Sequence, residues 1–175
     1  MQITQPNLPH DSDQTVRLDD QLCFALYAAT NAITRAYRPL LGYIGLTYPQ
    51  YLVIMAIWEH GPQTIGQLAT KLHLPPGAIS PIVDQLEKSE FAQRERDSHD
   101  RRVVRVKATQ KGSDLEKSAA LIQRNIVCQT NLDNQNFVEI RDKLHALIDQ
   151  LSTHPGIEPA SLLGSHLASV STDID

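Results

Sequence analysis

The sequence predicts a mainly α protein with a small β-hairpin wing: a winged helix-turn-helix with N- and C-terminal dimerisation helices. Three observations predict it. Two short segments with apolar residues at helical spacing, 65–72 and 77–88, meet at the tight turn His73-Leu74-Pro75-Pro76. Directly after them the period changes, and Val104, Val106 and Ala108 alternate with Val103, Arg105 and Lys107, which is strand spacing. Six of the 16 Lys and Arg residues (Arg94, Arg96, Arg101, Arg102, Arg105 and Lys107) fall within that stretch. A helix pair or a hairpin alone is common. A helix-turn-helix followed at once by a basic hairpin is far more specific.

The elements follow in order. Residues 1–17 are polar, carry Pro6 and Pro9, and read as a flexible lead-in. From Leu18, the residues Leu22, Leu26, Ala29, Ile33, Tyr37 and Leu40 recur at three- and four-residue steps, an amphipathic helix of about six turns. Pro39, Gly42 and Gly45 end it. Thr47 offers an N-cap and Pro49 an early position for a second helix to about Glu59, stopped by Gly61-Pro62. Thr64 caps 65–72, and 77–88 turns Ile79, Ile82, Val83 and Leu86 inward. Residues 91–96 pair with 103–108 across Asp97-Ser98-His99-Asp100. Thr109-Gln110-Lys111-Gly112 opens a long helix with Leu115, Ala119, Ile122 and Ile126 on one face, interrupted or recapped at Asp133 or Asn134. Phe137, Ile140, Leu144, Leu147, Ile148 and Leu151 form a last amphipathic helix. The division is therefore a winged helix-turn-helix over 47–109, dimerisation helices over 18–46 and 110–152, and a polar tail over 153–175, all in one compact domain.

Composition sets the outer limits. A chain of 175 residues is one domain with some margin. Two cysteines exclude a disulfide-rich secreted fold, and no apolar run approaches the ~20 residues that span a bilayer. No basic stretch followed by an apolar one marks a signal peptide near Met1, so the expected compartment is the cytoplasm, without membrane association. The net charge of −4 argues against nucleic acid on average. Locally, the six hairpin cations face Glu95, Asp97 and Asp100, leaving +3. That excess is either a solvated hairpin with internal ion pairs or a phosphate-binding element.

On the second reading, the helix 77–88 enters the major groove. Pro76, Ala78, Ser80 and Pro81 point outward near its start; Ser80 can bond a base or a phosphate, and the others make apolar contacts. Gln85 can read adenine, whereas Asp84 repels phosphate. Direct readout is thus sparse, and Arg94, Arg96, Arg102 and Arg105 on the wing carry the affinity, with steep salt dependence. Asp100, two residues before Arg102, pins that guanidinium at the hairpin tip for a narrow minor groove, or else forms a surface salt bridge of little energy. The outer helices have apolar stripes that a small winged helix cannot cover. A second copy covers them economically, and a homodimer suits double-stranded palindromic operator DNA. The seven histidines have no spacing that closes a metal site, and no phosphate loop or Ser/His/Asp grouping is present, so neither cofactor, metal nor enzyme activity is expected.

Particular blocks carry a resemblance. Asp100-Arg101-Arg102, the alternating Val/Arg run and Thr109-Gln110-Lys111-Gly112 resemble the wing of MarR-type winged-helix regulators. Leu22-Cys23-Phe24 and Thr47-Tyr48-Pro49-Gln50-Tyr51, with Tyr37-Arg38-Pro39-Leu40-Leu41, resemble the organic-hydroperoxide-resistance subgroup of that family over roughly 18–150. The resemblance implies a repressor controlled by a thiol switch. By the same resemblance Cys23 would be the peroxidatic cysteine, oxidised by organic hydroperoxide to a sulfenic acid, with Tyr27, Tyr37 and Tyr48 as its hydrogen-bonding network. Cys128 resolves it in an intersubunit disulfide, as in the two-cysteine branch, and DNA is released. Pro75-Pro76 stands where an acidic or hydroxyl pair is usual, Ala78 where Thr is usual, and Asp84-Gln85 where a basic pair is usual; these departures bear on the operator.

Helix geometry constrains that switch. Cys23 and Tyr27 share a face. Tyr37 lies about 21 Å along the axis from Cys23 at 1.5 Å per residue, so it meets the Cys23 of a second copy only if the two first helices cross antiparallel near residue 30. The helix dipole favours a Cys23 thiolate, while Asp19 and Asp20 oppose it. Other readings remain open: either cysteine as a packing residue, a regulator governed by a small aromatic or fatty ligand between subunits, a thiol peroxidase, or an interaction module without DNA binding.

Overall fold

The computed structural model describes residues 17–153, so the expected lead-in and tail lie, but for their inner ends, outside the described residues. The described residues fall into two units that meet between Gln129 and Thr130 in sequence.

The first unit begins with a 3-10 turn, Leu18–Asp20, and α1, Leu22–Tyr43. The expected unbroken helix from Leu18 is interrupted at Gln21, which is extended (φ −90°, ψ 116°). The far end of α1 closes in a Schellman motif. Gly45 adopts φ 78°, its N–H bonds the Gly42 carbonyl, and Leu46 N–H bonds the Leu41 carbonyl at 2.9 Å. Leu41 and Leu46 are both buried across that turn.

Helix α2, Tyr48–His60, starts in a capping box in which Thr47 and Gln50 satisfy each other's backbone N–H groups. It buries Tyr51, Val53, Ile54, Ala56 and Ile57, which makes it the central helix of the unit. Helix α3, Ile65–Lys71, has the same device in Thr64 and Gln67. Helix α4, Pro76–Lys88, buries Ile79, Val83 and Leu86 at steps of four and three, the inner face expected from the sequence.

The wing is the antiparallel pair β1, Ala92–Arg96, and β2, Val104–Ala108, in register Ala92↔Ala108 to Arg96↔Val104. Gln63 adds a one-residue bridge to Val106, with N–H···O distances of 2.9 and 2.7 Å, and so ties the start of the helix-turn-helix to the wing. The expected long helix after the wing is split into α5, Gln110–Asp114, and α6, Glu116–Gln129, at Leu115. Ala119, Ile122 and Ile126 of α6 complete the core.

The junction between wing and α5 is closely packed. Thr109 Oγ1 donates to the Glu90 carbonyl at 2.6 Å and accepts from Gly112 N–H at 3.1 Å. Lys111 Nζ reaches the Ser89 carbonyl at 2.9 Å. Gly112 packs its Cα against the Phe91 carbonyl, where a Cβ would collide with backbone. Thr109-Gln110-Lys111-Gly112 is thus the seam that joins the C-terminus of α4 to the wing.

The second unit contains α7, Asn134–Thr153, capped by Asp133, whose Oδ1 accepts from Asn136 N–H at 2.8 Å. No residue of α7 is buried, and Ile140, Leu144, Ile148 and Leu151 lie exposed along one stripe.

Candidate functional site

The outward face of α4 is formed by Pro76, Gly77, Pro81, Asp84, Gln85 and Lys88, all exposed. Ala78 and Ser80, expected outward, are half-buried, and Ser80 Oγ turns back to the Pro76 carbonyl at 3.5 Å. The helix turn that places Pro76 and Pro81 on the outer face rotates residues 78 and 80 toward its flanks. Gln85 is open to a ligand.

At the wing tip Asp100 accepts three bonds from Arg102: the backbone N–H at 3.0 Å, and Nε and Nη2 at 3.1 Å each. The Arg102 side chain is 91% exposed, so its guanidinium is oriented by Asp100 yet open to solvent. These bonds from Arg102 hold the Asp100 carboxyl below its ordinary range. Below the tip, Asp97 receives Arg105 Nε at 2.5 Å and the N–H groups of His99 and Asp100 at 2.9 and 3.3 Å. Its pKa falls from 3.8 to about 2, mainly through the Arg105 bond. Arg105 Nη1 also touches Gln67 Oε1 of the α3 cap at 3.4 Å.

The wing cations, which look alike in sequence, therefore do different things. Arg94 is bound to Asp84 and Glu87 of α4, Arg105 to Asp97, and Lys107 to Glu95. Arg96 and Arg101 are exposed and have no carboxylate partner among the described residues. Arg94 and Arg105, expected with Arg96 and Arg102 to carry the DNA affinity, are ion-paired within the protein, and both side chains are about two-thirds covered. The same pairing compensates Asp84, whose charge read from sequence alone as repulsive to phosphate.

The second constellation is aromatic. Tyr37 of α1 and Tyr48 of α2 lie with ring centroids 5.2 Å apart. Tyr51, which the sequence reading did not select as a site residue, completes a triad at 5.8 Å from Tyr37 and 6.3 Å from Tyr48. Its signal was available, because Tyr48 and Tyr51 are three apart on one helix face. Burial pushes all three phenols up, Tyr37 to about 12 with help from Tyr51 and Tyr48. They are neutral O–H donors at pH 7.

The cysteines lie elsewhere. Cys23 is the second residue of α1, exposed, one turn from Tyr27, which is 67% exposed. Helical rise puts it about 21 Å along the axis from Tyr37 of its own chain. Cys128 sits in the last turn of α6, also exposed and free. A single chain brings Tyr37 and Tyr48 together and leaves Cys23 with Tyr27 at the opposite end of α1. Among the described residues no His, Cys, Asp and Glu cluster could hold a metal, and no single helix is long and apolar enough to cross a membrane.

A helix-turn-helix with exposed polar groups on its second helix and a basic hairpin beside it defines a winged-helix DNA-binding protein. The MarR family model matches residues 46–104, from just before α2 to the first residue of β2. The transcriptional regulator TtmR of Methylorubrum extorquens is 38% identical over 141 residues, 77% of this chain and 72% of that protein. The organic hydroperoxide resistance transcriptional regulator of Bacillus subtilis is 31% identical over 136 residues, 78% of this chain and 92% of that one. The structure of reduced AbfR bound to DNA superposes with a TM-score of 0.63 at 27% identity, over 77% of this chain and 94% of that chain. The chain belongs to the MarR family of DNA-binding transcriptional regulators.

Proposed function

We propose that this regulator is a homodimeric repressor in the cytoplasm that senses organic hydroperoxide through Cys23 and releases operator DNA on oxidation. The observation that carries the reading is the pairing of Tyr37 with Tyr48, two neutral phenols 5.2 Å apart at the end of α1 remote from an exposed Cys23. The similarity to the Bacillus subtilis organic hydroperoxide regulator supports it. Antiparallel crossing of two α1 helices brings each Cys23 to the partner's phenols. The exposed Leu22, Tyr27 and Ile33 of α1, Leu121 of α6 and the stripe on α7 supply apolar surface for such a dimer.

The chemistry balances without a cofactor. The Cys23 thiolate attacks the distal peroxide oxygen, the O–O bond breaks, and an alcohol leaves with a proton, giving the sulfenic acid. The Cys128 thiol of the partner subunit then displaces water to form a disulfide between subunits. On DNA, Ser80 and Gln85 meet the major groove, Asp100 presents Arg102 to the minor groove, and Arg96 and Arg101 meet phosphate; Arg94 and Arg105 serve inside the wing.

Non-reducing electrophoresis before and after one equivalent of cumene hydroperoxide tests the reading. The wild type is expected to convert to a covalent dimer and to lose DNA binding. Cys128→Ser is expected to give sulfenic acid without the dimer, and Cys23→Ser neither. Unchanged mobility and unchanged DNA binding of the oxidised wild type would overturn it.

A further inference from the structure

The one wing arginine that folds back onto α4 is Arg94. Its register partner is the buried Val106, so it lies on the strand face that turns Ala92 and Val106 into the protein. Three bonds fix it. Nη2 meets Asp84 Oδ1 at 2.8 Å, Nη1 meets Glu87 Oε2, and its backbone N–H donates to Glu87 Oε1 at 2.6 Å. Glu87 thus grips both the main chain and the side chain of one residue. That double grip sets the direction of the strand as well as its distance from the helix.

We infer that Arg94 is a positioning residue for DNA binding, which with Asp84 and Glu87 of α4 locks the wing at a set angle to the recognition helix and does not itself contact phosphate. The inference rests on the DNA-binding reading and deepens it. The lever is long: a swing of about 10° at the base of a five-residue strand, ~17 Å, moves the tip by roughly 3 Å. That displacement takes Arg102 out of hydrogen-bond range of any group it meets. The grip also offsets one of the two carboxylate charges that Asp84 and Glu87 place on the helix nearest the polyanion.

The probe is a duplex enriched from a randomised pool by the wild-type protein, titrated at several salt concentrations. Glu87→Met separates the two roles by sign. It removes a negative charge and frees the Arg94 guanidinium from its closest carboxylate, so a phosphate-contacting Arg94 requires tighter binding with a steeper salt slope. The lock requires weaker binding, about tenfold, with an unchanged slope. Arg94→Met is expected to do the same, whereas Arg96→Ala reduces the slope by roughly 0.9, the value of one phosphate contact. A gain in affinity for Glu87→Met, or a slope loss of that size for Arg94→Met, overturns the inference. Amide exchange of the free protein supplies a readout that needs no duplex. In Glu87→Met the Arg94 amide is expected to exchange at least tenfold faster while Val83 in the α4 core is unchanged. Unchanged protection at Arg94 overturns the lock irrespective of how the protein treats DNA.

Discussion

Replacing Gly112 by alanine tests the seam between α4, the wing and α5. An added Cβ at Gly112 collides with the Phe91 carbonyl oxygen, comes within 2.8 Å of its carbonyl carbon, and approaches Ile54 Cδ1 at 3.2 Å. The first two neighbours are backbone, so relief requires the Phe91 peptide to move, not a rotamer to change. Forcing extra volume into such a place costs about 1–3 kcal/mol. A collision with backbone lies in the upper half of that range, and the helical preference of alanine over glycine returns about 0.5–1 kcal/mol, so a net loss of about 1–2 kcal/mol is expected. In a chain of this size that is a fall in melting temperature of roughly 2–8 °C. The Phe91 carbonyl also accepts from Thr109 N–H at 3.1 Å, and Trp58 Nε1 donates to the Gly112 carbonyl at 3.2 Å, so the displacement reaches the core. The assay is thermal melting followed by circular dichroism, with Gly42→Ala as control. Gly42 is in α1 with nothing within 4 Å of a built Cβ, and its replacement is expected to be neutral or slightly stabilising. Equal melting temperatures for the two variants would show that the seam yields freely and refute the argument.

Two further outcomes follow from the wing. Arg102→Ala is expected to leave the melting temperature unchanged, because its side chain is 91% exposed and pairs only with Asp100, while DNA affinity falls and the salt slope drops by roughly 0.9; an unchanged slope would remove Arg102 from the DNA face. Acid is expected to open the wing loop late. The Asp97 carboxyl titrates at about 2 against an ordinary 3.8, so its contribution to stability is complete above 3.8 and is lost only as pH falls toward 2. Amide chemical shifts of His99 and Asp100, whose N–H groups it accepts, should move together with a midpoint near pH 2, and a midpoint at or above 3.8 would contradict the bonding described.

The helices and the hairpin were readable because their causes are local. Thr47 and Thr64 announce two helix starts as N-caps, and the structure adds Gln50 and Gln67 as their capping-box partners. The alternation of Val104 and Val106 announces a strand. Asp100 and Arg102 are two residues apart on one turn, so their pairing follows from chain geometry. Less visible were the break at Gln21 and the split at Leu115, which depend on how a short run meets its neighbours. Tyr51 shares a helix face with Tyr48 by spacing, but its place beside Tyr37 depends on how α1 packs on α2.

The amino-acid order by itself determined the element types, the inner face of α4, the basic hairpin and the membership of Cys23 and Tyr27 in one helical turn. These are consequences of period and of contacts within a few residues. Only the tertiary structure decided which of six similar cations are spent internally. Arg94 and Arg105 are indistinguishable from Arg96 and Arg101 as letters, yet the first pair meets carboxylates brought in by α4 and by the wing loop. It likewise decided that Gly112 must lack a side chain, because the Phe91 carbonyl occupies that space. A charge or a methyl group takes its role from what the fold places within a few ångströms of it, and that neighbour is set by packing across the chain.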